Sequence, residues 1–463
     1  MQIRLMTALV AAGAILAVAP ASAQTAEPAA AQAAAPAPAS PAPPAASQPA
    51  APAPVQTAAP AASASAAPAA VQTAAPAAPQ VTAGWRDGFF IQSEKGDFRL
   101  QIGALVHADG RFVLGDDEGL VTDTFLIRRL RPYIRGRFAQ HFEFYLNPDF
   151  AGGTLVLQDA YVDTVFSPAF RIRAGKAKTP FGLERLQPVA SIVFYERALP
   201  TSLVPNRDVG VQVLGDLLGG VVSYQAGILN GVADGGSGDL DTSDSKDLAG
   251  RLVVRPFTRY AGGAWKGLAL AIAATSGRQS GAAALPTLRT ASAQQTFFSY
   301  SGAVADGVRT RYSPQVAYYY KRFGGFAEYV HSELPVRKAA VVEDIGHDAW
   351  QVAGSWVLTG AAATDAAAGV RPRANFDFGA GHYGALQVAA RYHALTVDQR
   401  AVQLNFAAAG ASRKAEGWTA GLNWYLTPNF KYVVDFERTV FDGNEAGARR
   451  PEHALVFRTQ INF

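Results

Sequence analysis

The sequence predicts an all-β protein: a transmembrane antiparallel β-barrel behind a disordered Ala/Pro-rich N-terminal segment. Three observations predict it. The N-terminus carries an export signal, yet no later stretch offers the roughly 18 consecutive apolar residues of a membrane helix. From Gly84 onward the chain alternates apolar and polar residues with period two. The final alternating segment ends on an aromatic residue, Phe463.

The N-terminus reads MQIRLMTALVAAGAILAVAPASAQ. Arg4 supplies a positive n-region, Ala8 to Ala19 a short apolar run, and Ala21-Ser22-Ala23 a small-residue cleavage site. This is the layout of a secretory signal peptide over residues 1–23. Read as a membrane helix, the apolar run is too short to span a bilayer core. The chain has no cysteine, so it uses no disulfide or thiol chemistry after export.

Residues 24–83 are almost entirely Ala and Pro, with Glu27 their only charge, and VQTAAPAA occurs twice. Each Pro removes a helix donor and clashes with the preceding turn. The segment also has no large side chain to bury, so it reads as an extended, partly polyproline spacer. It is long enough to serve as a tether between envelope layers.

From Gly84 to Phe463 the pattern is that of strands with one apolar and one polar face. Phe98, Leu100 and Ile102 alternate with Arg99, Gln101 and Gly103; Trp418, Ala420, Leu422 and Trp424 alternate with Thr419, Gly421 and Asn423. Short connections such as Ala139-Gln140-His141 and Thr427-Pro428-Asn429 alternate with long Gly/Asp/Ser/Ala-rich ones, such as Gly231 to Asp247. Short turns on one side and long loops on the other are the layout of an outer-membrane barrel. A soluble sandwich alternates too, but the apolar faces here are rich in Trp, Tyr and Phe near strand ends, as in interfacial girdles. The expected surroundings are therefore outer-membrane lipid and lipopolysaccharide, in the bacterial outer membrane.

The most charged strand is FLIRRLRPYIRGRF, Phe125 to Phe138. Period two places Arg129, Arg131, Arg135 and Arg137 on one face, with Leu126, Leu130 and Ile134 on the other. A charge on the lipid face at mid-membrane costs about 2–4 kcal/mol, so the arginine face is expected to line the lumen. Arg128 is the exception on the apolar face, and snorkelling at an interface would accommodate it. Alternate residues stand about 6.6 Å apart along a strand. The result is a ladder of permanently charged forks suited to phosphate or carboxylate. The competing expectation is neutralisation by Glu143, Asp149, Asp159 and Asp163 on neighbouring strands.

Lys176 and Lys178 share a face of a later strand, unless a bulge intervenes. The stretch from about Thr179 to Asp208 does not alternate and holds Arg185, Arg197 and Arg207 beside Glu184, Glu196 and Asp208. Long loops in compact barrels are usually functional. This one either folds into the lumen as a constriction or lies on the rim.

These stretches resemble the phosphate-selective porin O/P family. FLIRRLRP, LQDAYVD, RAGKAKTPFGLERLQ, YERALP, RDVGVQ, AGILNG and, near the C-terminus, GLNWYLTPNFKYVVDFERT carry the resemblance. It implies a sixteen-stranded barrel, a homotrimer, an infolded third loop and an arginine-lined path. By that likeness Arg129 and Arg131 belong to the ladder, and Lys176 and Lys178 to the wall beside the constriction. Arg185, Arg197 and Arg207 then belong to the infolded segment.

Other chemistry is thin. The seven histidines show no metal-ligand spacing, and no nucleophile elbow or phosphate loop occurs. The aspartates of Asp234 to Asp247 do not fit a calcium loop, and their stretch reads as a solvated outer loop. A net charge of +4, from 41 Lys plus Arg against 37 Asp plus Glu, is too small to imply nucleic acid. The expectation is a passive diffusion channel with no cofactor and no enzymatic activity, preferring anions such as inorganic phosphate, polyphosphate or other small anions. The alternative is a general, weakly selective porin whose N-terminal segment tethers the envelope.

Overall fold

A computed structural model of the chain describes residues 81–115, 121–241, 244–260, 263–360, 369–443 and 449–463. The signal peptide and nearly all of the spacer lie outside these residues. Strand structure begins at Val81, three residues before the boundary expected at Gly84.

The strands are β1 (Val81–Trp85), β2 (Phe89–Ser93), β3 (Arg99–Leu114), β4 (Thr124–Phe138), β5 (Phe142–Asp149), β6 (Val156–Ser167), β7 (Phe170–Lys178), β8 (Arg207–Leu217), β9 (Val222–Leu229) and β10 (Asp247–Val254). They continue with β11 (Leu268–Gly281), β12 (Leu288–Arg289), β13 (Thr296–Phe298), β14 (Val304–Tyr320), β15 (Phe323–Lys338), β16 (Val341–Val357), β17 (Ala385–Val397), β18 (Lys414–Thr427), β19 (Phe430–Asp442) and β20 (Glu452–Asn462). β3 to β11 and β14 to β20 pair antiparallel in chain order, and β20 pairs β3, which closes a sixteen-stranded barrel. Closure removes the unpaired edges that a bilayer would not tolerate.

β20 and β2 share the edge of β3 end to end. β20 pairs with Leu105 to Leu114, and β2 with Arg99 to Ile102. Phe463 fills the gap: its N–H donates to the Ala104 carbonyl at 3.0 Å, and its carbonyl accepts from the Ala104 N–H at 2.9 Å. Trp85 packs on its ring at 5.4 Å between centroids. The facing position must be glycine, because a Cβ on Gly103 would lie 2.1 Å from the Phe463 carbonyl oxygen.

The outer face is apolar and exposed, with Phe125, Ile228, Ile272 and Val352 among its members. Aromatic pairs form two belts across it. One contains Tyr312–Tyr329, Trp350–Tyr392 and Trp418–Phe436; the other contains Trp265–Tyr318, Phe323–Trp356 and Trp424–Tyr432. Trp350 and Trp356 of β16 belong to different belts, about 20 Å apart along the strand. This spacing suits the two interfacial girdles of a membrane barrel.

The connections follow the expected alternation of length with three exceptions, the first being residues 255–267, a long connection at the short-turn end. Residues 339–340 make a tight hairpin at the long-loop end, and residues 358–384 make a long connection at the short-turn end. The stretch expected as a solvated loop from Asp234 to Asp247 is partly interior. Asp234 and Asp247 are buried.

The largest apolar core lies inside the barrel. Val330 and Leu334 of β15, Ile345 of β16, and Leu395 and Val397 of β17 meet Leu199, Leu203, Leu288, Phe297, Phe298 and Phe406 from three connections. The inward face of β15 to β17 is therefore apolar toward the long-loop end, and the loops bury it as a second layer would in a soluble protein.

Candidate functional site

A cavity of about 1410 Å³ occupies the lumen on the short-turn side. It reaches the turn residues Pro428 and Asn429 at one end and Leu186 to Ser191 of the long third connection at the other. We call it the vestibule. Its lining carries twelve Lys or Arg residues against four Asp or Glu, so its wall is far more basic than the chain as a whole.

The 179–206 segment crosses the lumen and caps this vestibule, as the infolded reading expects. Its main-chain carbonyls accept from inward side chains on the far wall. Gln460 donates to Ala190 O at 2.9 Å, Lys431 to Ile192 O at 2.9 Å, Asn423 to Val193 O at 2.7 Å, Arg458 to Tyr195 O at 2.5 Å and Arg391 to Glu196 O at 2.6 Å. The N–H of Tyr195 donates to Asp435 at 2.6 Å, and that of Leu183 to Glu328 at 2.6 Å. These bonds satisfy backbone groups that a buried loop would otherwise leave unpaired.

The ladder strand departs from simple alternation at one point. Arg129 of β4 pairs His107 of β3, but the next pair is Ile127 with Ala108, so Arg128 is an extra residue in a bulge. One inserted residue reverses the parity of everything beyond it. Phe125 and Ile127 therefore face outward before the bulge, and Leu130 and Ile134 after it. Leu126 is not on the outward row, and Arg128 does not snorkel. Arg128 Nε donates to Glu196 Oε1 at 2.8 Å, and Arg129 Nη2 donates to Glu196 Oε2 at 2.8 Å. Arg458 stands 3.6 Å from the same carboxylate. Burial alone would raise the Glu196 pKa, but Arg128, Arg129 and Arg458 hold it well below the ordinary carboxylate range.

The remaining candidate residues divide into two groups. Arg131, Arg135, Arg137, Lys178 and Arg207 line the vestibule. Three of these are paired with acids: Arg131 with Asp149 at 2.7 Å, Arg137 with Glu143 at 2.5 Å, and Arg207 with Asp159 at 3.1 Å. Arg135 donates to Gln101 Oε1 at 3.1 Å, and Lys178 donates to the Leu186 and Gln187 carbonyls, so both bond only to neutral groups among the described residues. Arg129, Lys176, Arg185 and Arg197 do not line the vestibule. Lys176 pairs with Asp239, which separates it from Lys178. Arg185 donates to Thr201 O at 2.9 Å, and Arg197 to Glu184 O at 2.9 Å, so both brace their own loop.

Sequence reasoning missed part of the basic wall. Arg99, Arg171, Arg173, Arg251 and Lys431 also line the vestibule. Among the described residues Arg251 donates only to Gln315, and Lys431 only to Ile192 O and Asn423, so neither hydrogen-bonds a carboxylate. Period two marks Arg171 with Arg173 in FRIRAGK, and Lys431 against Tyr432 in FKYVVDFE; that was the available signal. A second buried network was also missed. Asp234 accepts from Arg311 Nε at 2.6 Å and from Ser332 Oγ at 2.8 Å, with Arg309 at 3.8 Å. Among the described residues no group of three or more His, Cys, Asp or Glu side chains is placed to hold a metal ion.

Residues 100–463 match the family model for phosphate-selective porin O and P. No curated protein matches the chain by sequence. The outer-membrane channel DcaP of Acinetobacter baumannii has a similar structure, with a TM-score of 0.53 and 12% identity, covering 81% of this chain and 99% of that one. An anion-selective porin from Comamonas acidovorans is also similar, with a TM-score of 0.51 and 10% identity, covering 79% and 100%. At such identities these two share the fold. The family match spans nearly the whole closed barrel, from β3 to Phe463, so the chain belongs to the phosphate-selective porin O and P family and is a channel protein of the bacterial outer membrane.

Proposed function

We propose that the protein is a passive diffusion channel with a preference for anions, inorganic phosphate and other small anions among them, and that it catalyses no reaction. One observation carries this reading. In a vestibule lined by twelve cationic and four acidic side chains, Arg135, Lys178, Arg251 and Lys431 bond only to neutral groups among the described residues. A row of modest cationic sites lets an anion enter and leave, as conduction requires. Arg131, Arg137 and Arg207 shape the wall while their charges are offset. Arg129, Lys176, Arg185 and Arg197 hold the structure around the path.

The test is a reversal potential in a planar bilayer across a KCl gradient. The wild-type channel is expected to give the anion-selective sign. Arg135→Glu is expected to move that potential toward zero. A unit charge at 4 Å is worth about 1 kcal/mol even in water. Removing it changes local anion occupancy roughly fivefold, and reversing it changes occupancy further. A cation-selective wild type would leave only a general porin. We also propose that the protein is a homotrimer, as the family resemblance implies. The mass of the detergent-solubilised complex checks this, and a monomer mass overturns it.

A further inference from the structure

One wall of the vestibule has more than charge. Tyr145 of β5 stands directly opposite Tyr161 of β6, with Arg135 of β4 on its other side. The Tyr145 ring lies 5.7 Å from that of Tyr161 and 5.9 Å from that of Tyr133. The Arg173 guanidinium lies over Tyr161, 3.9 Å from its centroid. All of these side chains line the cavity. Three phenol rings, tilted by 47° and 49° from one to the next, and a guanidinium thus form a continuous π-rich strip. Guanidinium planes and aromatic rings both stack on aromatic faces.

An inorganic anion makes no use of such a strip. Its hydration shell is replaced by N–H and O–H donors, and ring faces offer none. A flat organic anion uses both parts of the wall. Its carboxylate meets Arg135, whose charge no acid offsets, while its ring lies against the tyrosines.

We infer that the vestibule binds aromatic carboxylates, and that the Tyr133–Tyr145–Tyr161 strip beside Arg135 is their subsite. This inference rests on the vestibule conducting anions. It names a ligand class within that reading.

The experiment measures block of single-channel chloride current by benzoate, cyclohexanecarboxylate and acetate on the full-length protein. The three share one charged group and differ in the body attached to it. Benzoate is expected to halve the current at a concentration about tenfold below that of acetate, the factor a single aromatic stacking contact supplies. Cyclohexanecarboxylate is expected to fall between them. Tyr145→Phe is expected to keep the benzoate preference and Tyr145→Leu to lose it, with the sign of the reversal potential unchanged in both. If Tyr145→Leu does not assemble, Tyr161→Leu serves the same purpose.

Equal block by benzoate and acetate in an anion-selective channel overturns this inference and leaves the anion reading intact. Equal block by benzoate and cyclohexanecarboxylate also overturns it, because apolar bulk then suffices. Retention of the full preference in Tyr145→Leu removes the strip from the site. A cation-selective wild type overturns both readings.

Discussion

Glu196→Gln is expected to free the infolded segment from the far wall of the barrel. The carboxylate lies among three guanidiniums: Arg128 and Arg129 at 2.8 Å each and Arg458 at 3.6 Å. Glutamine keeps the shape and removes the charge. Arg458 retains Asp109 at 2.7 Å, but Arg129 has no other carboxylate among the described residues and its side chain is buried. Breaking a buried pair on one side typically costs 3–5 kcal/mol, because the remaining charge stays out of water. The substitution is thus expected to weaken anchorage of residues 179–206 by about that amount. Limited trypsin digestion checks it, since Arg185 and Arg197 become cleavable once the segment leaves the lumen. Single-channel conductance should rise in parallel, because Leu186 to Ser191 cap the vestibule. Unchanged protection and unchanged conductance would rule the anchor out.

The same carboxylate sets a pH limit. Its folded pKa is depressed, so its contribution is complete above the ordinary glutamate value of about 4.3. It is lost only as pH falls through the depressed value. Loss of this carboxylate's contribution therefore requires pH well below about 4.3, and mild acid leaves it in place.

Asp234→Ala is the second large effect. Arg309 and Arg311 both have side chains only 1% exposed, and Asp234 is their shared carboxylate. Arg311 keeps Asp247 at 3.6 Å; Arg309 keeps only backbone carbonyls. The expected loss is again about 3–5 kcal/mol, seen as a lower temperature for conversion of the heat-modifiable band. Increased proteolysis between Asn230 and Lys246 should accompany it. A conversion temperature equal to wild type would mean that the network contributes nothing.

The barrel was legible because period two survives in almost every strand. Alternation around Leu100, Trp418 and Phe436 correctly separated lipid from lumen, and the ladder strand contributes Arg131, Arg135 and Arg137, but not Arg129, to the basic wall. Three things were not legible. The bulge at Arg128 changes parity without changing composition, and a fourteen-residue stretch with five arginines reads equally well in either register. The apolar inward residues Val330, Leu334 and Leu395 belong to strands whose pattern says which residues share a face, not what covers it. Their partners, Phe297, Phe298 and Phe406, sit in connections far away in the chain. Finally, period two points to charge partners on adjacent strands only. That found Asp149, Glu143 and Asp159, but missed Glu196 and Asp234, which arrive from loops folded across the lumen.

The far wall holds the infolded segment largely by its carbonyls, at Ala190, Ile192, Val193, Tyr195 and Glu196. A hydrogen bond to a carbonyl is indifferent to the side chain on the same residue. The crossing is thus fixed there through backbone groups, while Phe181, Leu199 and Leu203 are held by the apolar core and Glu184 and Glu196 by their polar partners. Substitutions at Leu186, Val189 or Ser191 would alter what a passing solute meets without loosening the crossing that presents them. The lining of the vestibule at this point is thus separable from the strands that carry it.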